Sequence, residues 1–274
     1  MEFSFIKKLR KKNIFHLIKR RYWNIKYKDG KPEERFIDLP FGKVLVMMNE
    51  DVGGNIYSEK IHEQAETKFI QRVVNDDWIC IDIGANIGYF SLLLSSKAFN
   101  GQVVAVEPIK KNVLIIDKMI AKNKVSNIFV EDSAIDNIDG QREFSIMEDS
   151  AYSGFVSTGR KNLKETVNVN TITPNSLISK YSLTRIDLIK IDVEGSEMPI
   201  FEAFKDLILN MRPKYILSEC NEQNMKNYGF CVENFLSLLD SYGYTPNFLN
   251  DDGTICEFKK NELSRIDNIV FTRK

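Results

Sequence analysis

The amino-acid sequence predicts an α/β protein with a mostly parallel sheet covered by helices on both faces. Three observations predict it. Short apolar strands alternate with amphipathic helices along most of the 274 residues. A Gly-Ala-Asn-Ile-Gly turn, 84–88, lies between one such strand and the next helix. Acidic residues follow successive strands, at the edge where open α/β sheets bind ligands.

Taken in order, Phe41–Met48 reads as a strand. Lys60–Val74 reads as a helix, with Ile61, Ala65, Phe69, Ile70 and Val73 on one face. Trp78–Ile83 is a short apolar strand and Ile87–Ser96 a helix; Gln102–Val106 is a strand and Lys110–Asn123 a helix; Ile128–Val130 is a strand. The segment 136–185 breaks this beat. Gln141–Met147 and Glu165–Thr173 read as strands, and the serine-rich stretch Asp149–Lys161 between them as a mobile loop on the ligand side or a plain surface connection. The alternation then resumes with strand Ile186–Ile191, helix Met198–Leu209, strand Tyr215–Glu219, helix Val232–Tyr242 and strands Thr245–Leu249 and Asn268–Thr272.

The composition, 43% hydrophobic and 28% charged, excludes a disordered, collagen-like or disulfide-stapled chain. No apolar run approaches the roughly 18 residues of a membrane span. Cysteines 80, 220, 231 and 256 form no C-x-x-C pair, and only His16 and His62 accompany them, so zinc-type spacing is absent. Unpaired cysteines suit a reducing cytoplasm. The formal net charge is zero, but residues 1–31 hold eleven Lys and Arg against Glu2 and Asp29, which is +9 and leaves −9 for the rest. The division expected is a basic amphipathic arm at 1–31, a lead-in at 32–75 and a main domain at 76–274. The arm is either a solvated segment packed on the body or a helix for peripheral contact with an anionic membrane.

Glycine at 84 and 88 allows close backbone approach and a tight entry into the helix. The second glycine of the dinucleotide fingerprint is missing, and Asp82 at the turn repels a pyrophosphate. Glu107 follows the next strand, 19 residues past Gly88, near the spacing at which an acid meets ribose hydroxyls. Asp132 and Ser133 follow the third strand.

The runs Asp82-Ile83-Gly84-Ala85-Asn86-Ile87-Gly88-Tyr89, Val106-Glu107-Pro108 and Ile189-Lys190-Ile191-Asp192-Val193-Glu194-Gly195-Ser196-Glu197 resemble the FkbM family of S-adenosylmethionine-dependent methyltransferases. The similarity extends from about Tyr57 to Phe271 and includes His62-Glu63-Gln64; the arm lies outside it. The resemblance implies a Rossmann-like class I methyltransferase fold with a mostly parallel seven-stranded sheet. It implies that Asp82, Gly84, Ala85, Asn86, Gly88 and Tyr89, with Glu63 and Asp192, line the S-adenosyl-L-methionine site. Glu107 and Pro108 would meet the ribose, and Asp132 and Ser133 the adenine. Pro174-Asn175-Ser176-Leu177 stands where the family has Leu-Asp-Ser-Leu.

Methyl transfer to an alcohol gains from a base that removes its proton. Asp192, Glu194 and Glu219 are the catalytic candidates. Glu194 and Glu197 could instead stabilise a helix N-terminus, and acids alone can hold Mg²⁺. His62 is a further candidate base or a surface residue. The resemblance implies O-methylation, often of sugar hydroxyls on glycans, glycolipids or glycosylated metabolites. The chain has no Pro-Pro pair, so the motif of nucleobase amino-methyltransferases is absent, and the −9 body repels nucleic acid. A nucleic-acid methyltransferase using the arm, a non-catalytic cofactor-binding module and a nicotinamide oxidoreductase are the competing readings. The expected place is the cytoplasm, free or peripheral at the membrane surface.

Overall fold

Alternation along the strands separates two cores. In β3 (Ile79–Ile83), Cys80 packs into one apolar cluster and Ile81 and Ile83 into another on the opposite face. These belong to a computed structural model that describes residues 16–28, 30–156, 161–259 and 268–274. The first half of the arm and residues 157–160 of the serine-rich stretch lie outside the described residues.

The elements are a helix α1 (16–26), β1 (Glu34–Leu39), β2 (Gly42–Met47), α2 (Asp51–Glu59), α3 (Gln64–Val73), β3, α4 (Tyr89–Lys97), β4 (Gln102–Val106), α5 (Lys110–Asn123) and β5 (Ile128–Glu131). They continue with β6 (Ala134–Ile135), β7 (Gly140–Met147), β8 (Leu163–Ile172), α6 (Pro174–Tyr181), β9 (Leu188–Ile191), α7 (Glu197–Ala203), α8 (Lys205–Met211) and β10 (Tyr215–Glu219). Last come α9 (Glu222–Asn227), α10 (Val232–Ser241), β11 (Tyr244–Leu249), β12 (Ile255–Glu257) and β13 (Asn268–Arg273).

The main sheet runs β5-β4-β3-β9-β10-β13-β11-β12. β5, β4, β3, β9 and β10 are parallel; β13 is antiparallel to both neighbours. The expected seven strands are therefore present, but the sheet has eight. The addition is β12, hairpinned onto β11 through a turn in which Asn250 N donates to Thr254 O. Three residues carry too little apolar pattern to announce a strand.

β1 and β2 form a hairpin whose Val44 and Leu45 share a core with Leu92 of α4 and Ile116 of α5. The lead-in thus packs into the main body. α2, unexpected from the sequence, carries Gly53-Gly54. A Cβ on Gly53 would lie 2.1 Å from Met47 O, and one on Gly54 would lie 2.4 Å from the Trp23 ring. Helix propensity is given up there for close approach to β2 and α1. The expected helix 198–209 is two helices broken at Phe204, and the helix expected from Lys60 starts only at Gln64. A smaller sheet, β6-β8-β7, flanks the cleft described next.

Candidate active site

The carboxyl ends of β3, β4, β5, β9 and β10 open onto a cleft of about 320 Å³. Its lining includes Gly84, Ala85, Asn86, Tyr89, Glu107, Pro108, Ser133, Glu63, Asp192, Glu194 and Glu219, eleven of the residues expected from the sequence. The serine-rich segment forms a wall through Ser150, Tyr152, Ser153 and Phe155. That wall is tied to α2: Asp51 N donates to Asp149 Oδ2, and Ser150 Oγ to Glu50 Oε2. The ligand-side reading of this stretch therefore matches the described part of it.

Three expected cofactor residues stand outside the lining. Asp82 is fully buried and accepts from Ser91 Oγ at 2.6 Å, so it braces β3 against α4. Gly88 has φ +78, and a Cβ there would press on Met119 and Ile116 of α5 at under 3 Å. Its smallness lets α5 pack under the turn. Asp132 faces Lys110 in an ion pair, leaving Ser133 as the neighbour of the cleft.

The turn after β3 is held by two backbone bonds, from Gly84 N and Ala85 N to Val106 O. Asn86 sits at φ +52 and donates its N–H to Glu107 Oε2 at 2.8 Å. Ile109 N donates to Glu107 Oε1. Burial pushes the Glu107 carboxyl up to about 7, against the pull of those N–H donors. Asn86 lines the cleft, and its buried Oδ1 has no hydrogen-bond partner.

At the other side, Asp192, Glu194 and Glu219 each bring a carboxylate oxygen within 4.8 Å of the others. Such a group can accept from a hydroxyl or share a divalent cation. Glu194 is held in the left-handed region, φ +55, where Asn224 Nδ2 donates to its Oε2 at 2.8 Å. Glu197 points inward: its Oε1 accepts from Val193 N and Gly195 N, so it caps the turn that carries Glu194. Burial raises Glu197 to about 7.

Two basic residues line the site: Lys190, to which the sequence assigned no role, and His62, which it offered as a base or a surface residue. Lys190, 3% exposed, lies two residues before Asp192 on the same face of β9, with Nζ 3.0 Å from Asp192 Oδ2. Burial disfavours its charge, but the carboxylates of Asp192, Glu63 and Asp82 outweigh that and raise its pKa. Its visible signal was a lysine inside the apolar run Leu188–Ile191. His62 lines the cleft and is not a surface residue, with 17% of its side chain exposed. Its ring stacks edge-on against Tyr89, and burial followed by the Lys190 charge lowers its pKa to about 4. It is neutral at physiological pH.

A family model described as the methyltransferase FkbM domain matches residues 82–246. Among curated proteins, the AMB antimetabolite synthetase AmbE of Pseudomonas aeruginosa is 25% identical over 252 residues, covering 78% of this chain. The chain spans 12% of that protein's length. Among solved structures, an O-methyltransferase from Bacillus cereus in complex with SAH aligns at 15% identity and TM-score 0.46, over 80% of this chain and 85% of that one. TYW2 of M. jannaschii in complex with AdoMet aligns at 16% identity and TM-score 0.42, over 89% of each chain.

Proposed function

The chain belongs to the FkbM-domain methyltransferase family, and on that premise we propose that it is an S-adenosylmethionine-dependent O-methyltransferase acting on a sugar hydroxyl of a glycan, glycolipid or glycosylated metabolite. One observation carries the reading. The carboxylates of Asp192, Glu194 and Glu219 converge in the same cleft as the 84–86 turn and Glu107.

The residues present suit the cofactor. Glu107 accepts from Asn86 N, Ile109 N and Asn112 Nδ2, which leaves about one of its roughly four lone pairs for a ribose hydroxyl. The orphaned Asn86 Oδ1 and the backbone at Gly84 and Ala85 offer further polar contact. Glu63 and Asp192 supply negative charge for a cationic ligand group. Bound S-adenosylmethionine supplies an electrophilic methyl group on a sulfonium.

The chain's own part is to bind, orient and take a proton. Asp192 has one oxygen engaged by Lys190 and a second available to accept from an acceptor hydroxyl. Glu194 and Glu219 orient the same or a neighbouring hydroxyl, and a polyol offers several. Lys190 holds the Asp192 carboxylate in place through the 3.0 Å contact of its Nζ with Oδ2. Positioning of this kind contributes up to roughly 7–11 kcal/mol to such a displacement.

The test is incubation with labelled S-adenosylmethionine and a panel of glycans, lipid-linked sugars and glycosylated metabolites, read by mass for one added methyl. Transfer to RNA or protein with none to any sugar would overturn the assignment.

A further inference from the structure

Helix α1 has two contrasting faces. One clamps it to the body. Trp23 is fully buried, its Nε1 donating to Met48 O at 2.6 Å, and Gly54 lies under its ring. The Arg20 guanidinium stacks 4.4 Å from that ring and donates to Asn55 Oδ1 at 2.6 Å. His16 Nδ1 lies 2.7 Å from Ser58 O. The helix is fixed in orientation by these contacts.

The opposite face is apolar and, among the described residues, uncovered. Leu17 is 68% exposed, Ile18 59%, Tyr22 47% and Ile25 79%. At about 100° per residue these four fall within an arc of about 140°, with Trp23 roughly opposite its middle. Residues 16–28 carry Lys19, Arg20, Arg21, Lys26 and Lys28 and no acid. Arg21 lies within the apolar arc, and Lys19 and Lys26 along one edge.

From this we infer that α1 is an interfacial anchor, docking the protein on an anionic lipid surface through Leu17, Ile18, Tyr22 and Ile25. Aliphatic side chains entering the acyl boundary while flanking cations meet lipid phosphates is the arrangement such a surface rewards. A nucleic-acid partner would use the cations but leave the Leu and Ile stripe in water. A second copy would bring two cationic helices together, which like charge opposes.

The anchor sits beside the cleft. Arg20 bonds Asn55, and Asn55, Val52 and Asp51 of α2 line the cleft. Docking would therefore set the cleft next to the lipid surface. The docking surface stands or falls independently of the acceptor, because its test reads binding alone.

The experiment is flotation of the full chain with vesicles of phosphatidylcholine and of phosphatidylcholine mixed with phosphatidylglycerol. Expected is co-flotation with the anionic vesicles, weak flotation with the neutral ones, and loss at high salt. The double variant Leu17→Gln, Ile25→Gln changes only exposed side chains, so it should keep its Tm while partitioning falls about tenfold or more. Equal flotation of variant and parent overturns the proposal, as does equal binding to neutral vesicles. So does binding to RNA alone, or a dimer that the variant abolishes without any vesicle binding.

Discussion

Lys190 and Asp82 are paired across β9 and β3 as opposite residues in the parallel register, and both are buried. A cation and an acid thus face each other beneath the cleft, with Asp192 one step nearer its mouth on the same face as Lys190. A buried charge of this kind is held only by its partners, and removing one strands the others.

Lys190→Met should therefore destabilise the protein by about 3–5 kcal/mol. Adding Asp82→Asn should restore part of that loss, because the stranded acid is removed too. Chemical denaturation of the two single variants and the double variant measures the coupling; strictly additive costs would contradict the pairing.

Asp192→Asn keeps the shape of the side chain but removes its ability to take a proton. Methyl transfer should fall by about 10²–10⁴. Circular dichroism and S-adenosylhomocysteine affinity should show a folded, binding-competent protein. Full activity in this variant would remove Asp192 from the chemistry.

Burial raises Glu107 and Glu197 from the ordinary glutamate value to about 7 in the folded state. Between about pH 4.5 and 7 the folded chain holds protons on these groups that the unfolded chain has lost. Their contribution is thus complete below about pH 4.5 and declines as pH rises toward 7. His62, lowered to about 4, acts oppositely: its contribution is present above about pH 6.5 and is lost as pH falls toward 4. Glu107→Gln should flatten the decline in ligand-free stability between pH 5 and about 7. Urea titrations across that range would reveal a variant curve parallel to the parent if the carboxyl were ordinary.

Ribose hydroxyls donate best to an ionised Glu107. S-adenosylhomocysteine affinity should therefore rise as pH passes about 7, and binding should release a proton. Calorimetry in buffers of different ionisation enthalpy reads that proton. In Glu107→Gln the release should vanish and affinity should drop.

Gly84 and Gly229 share nearly the same backbone, φ +77 and +81, but differ in surroundings. A Cβ at Gly84 would fall 1.9 Å from Asp192 O, whereas at Gly229 nothing lies within 4 Å. Gly229→Ala should cost about 1–2 kcal/mol of backbone strain. Gly84→Ala should cost clearly more, because β3 and β9 must separate. Thermal melts of the two variants make the comparison, and similar Tm losses would contradict it.

Most of the sheet was legible because its strands are apolar and β-branched. β4, α5 and β10 stand where their residue patterns put them. What failed locally was decided by distant contacts. Gly53-Gly54 speaks against a helix until Trp23 and Met47 are seen to require the missing side chains. Glu197 and Glu194 are three residues apart in one motif, yet one caps a turn from inside while the other faces the cleft.

The sequence by itself determined the strand and helix alternation, the turn at 84–88 and the acids at strand ends, because period and spacing are local properties. Only the tertiary structure decided which of those acids reach the cleft. Asp82 turns inward to Ser91, Asp132 turns to Lys110, Lys190 enters a site in which sequence reasoning gave it no part, and His62 takes the cleft rather than the surface. Side-chain direction at a strand end depends on which face of the sheet is covered and by what, and that is set by packing between segments far apart in the chain.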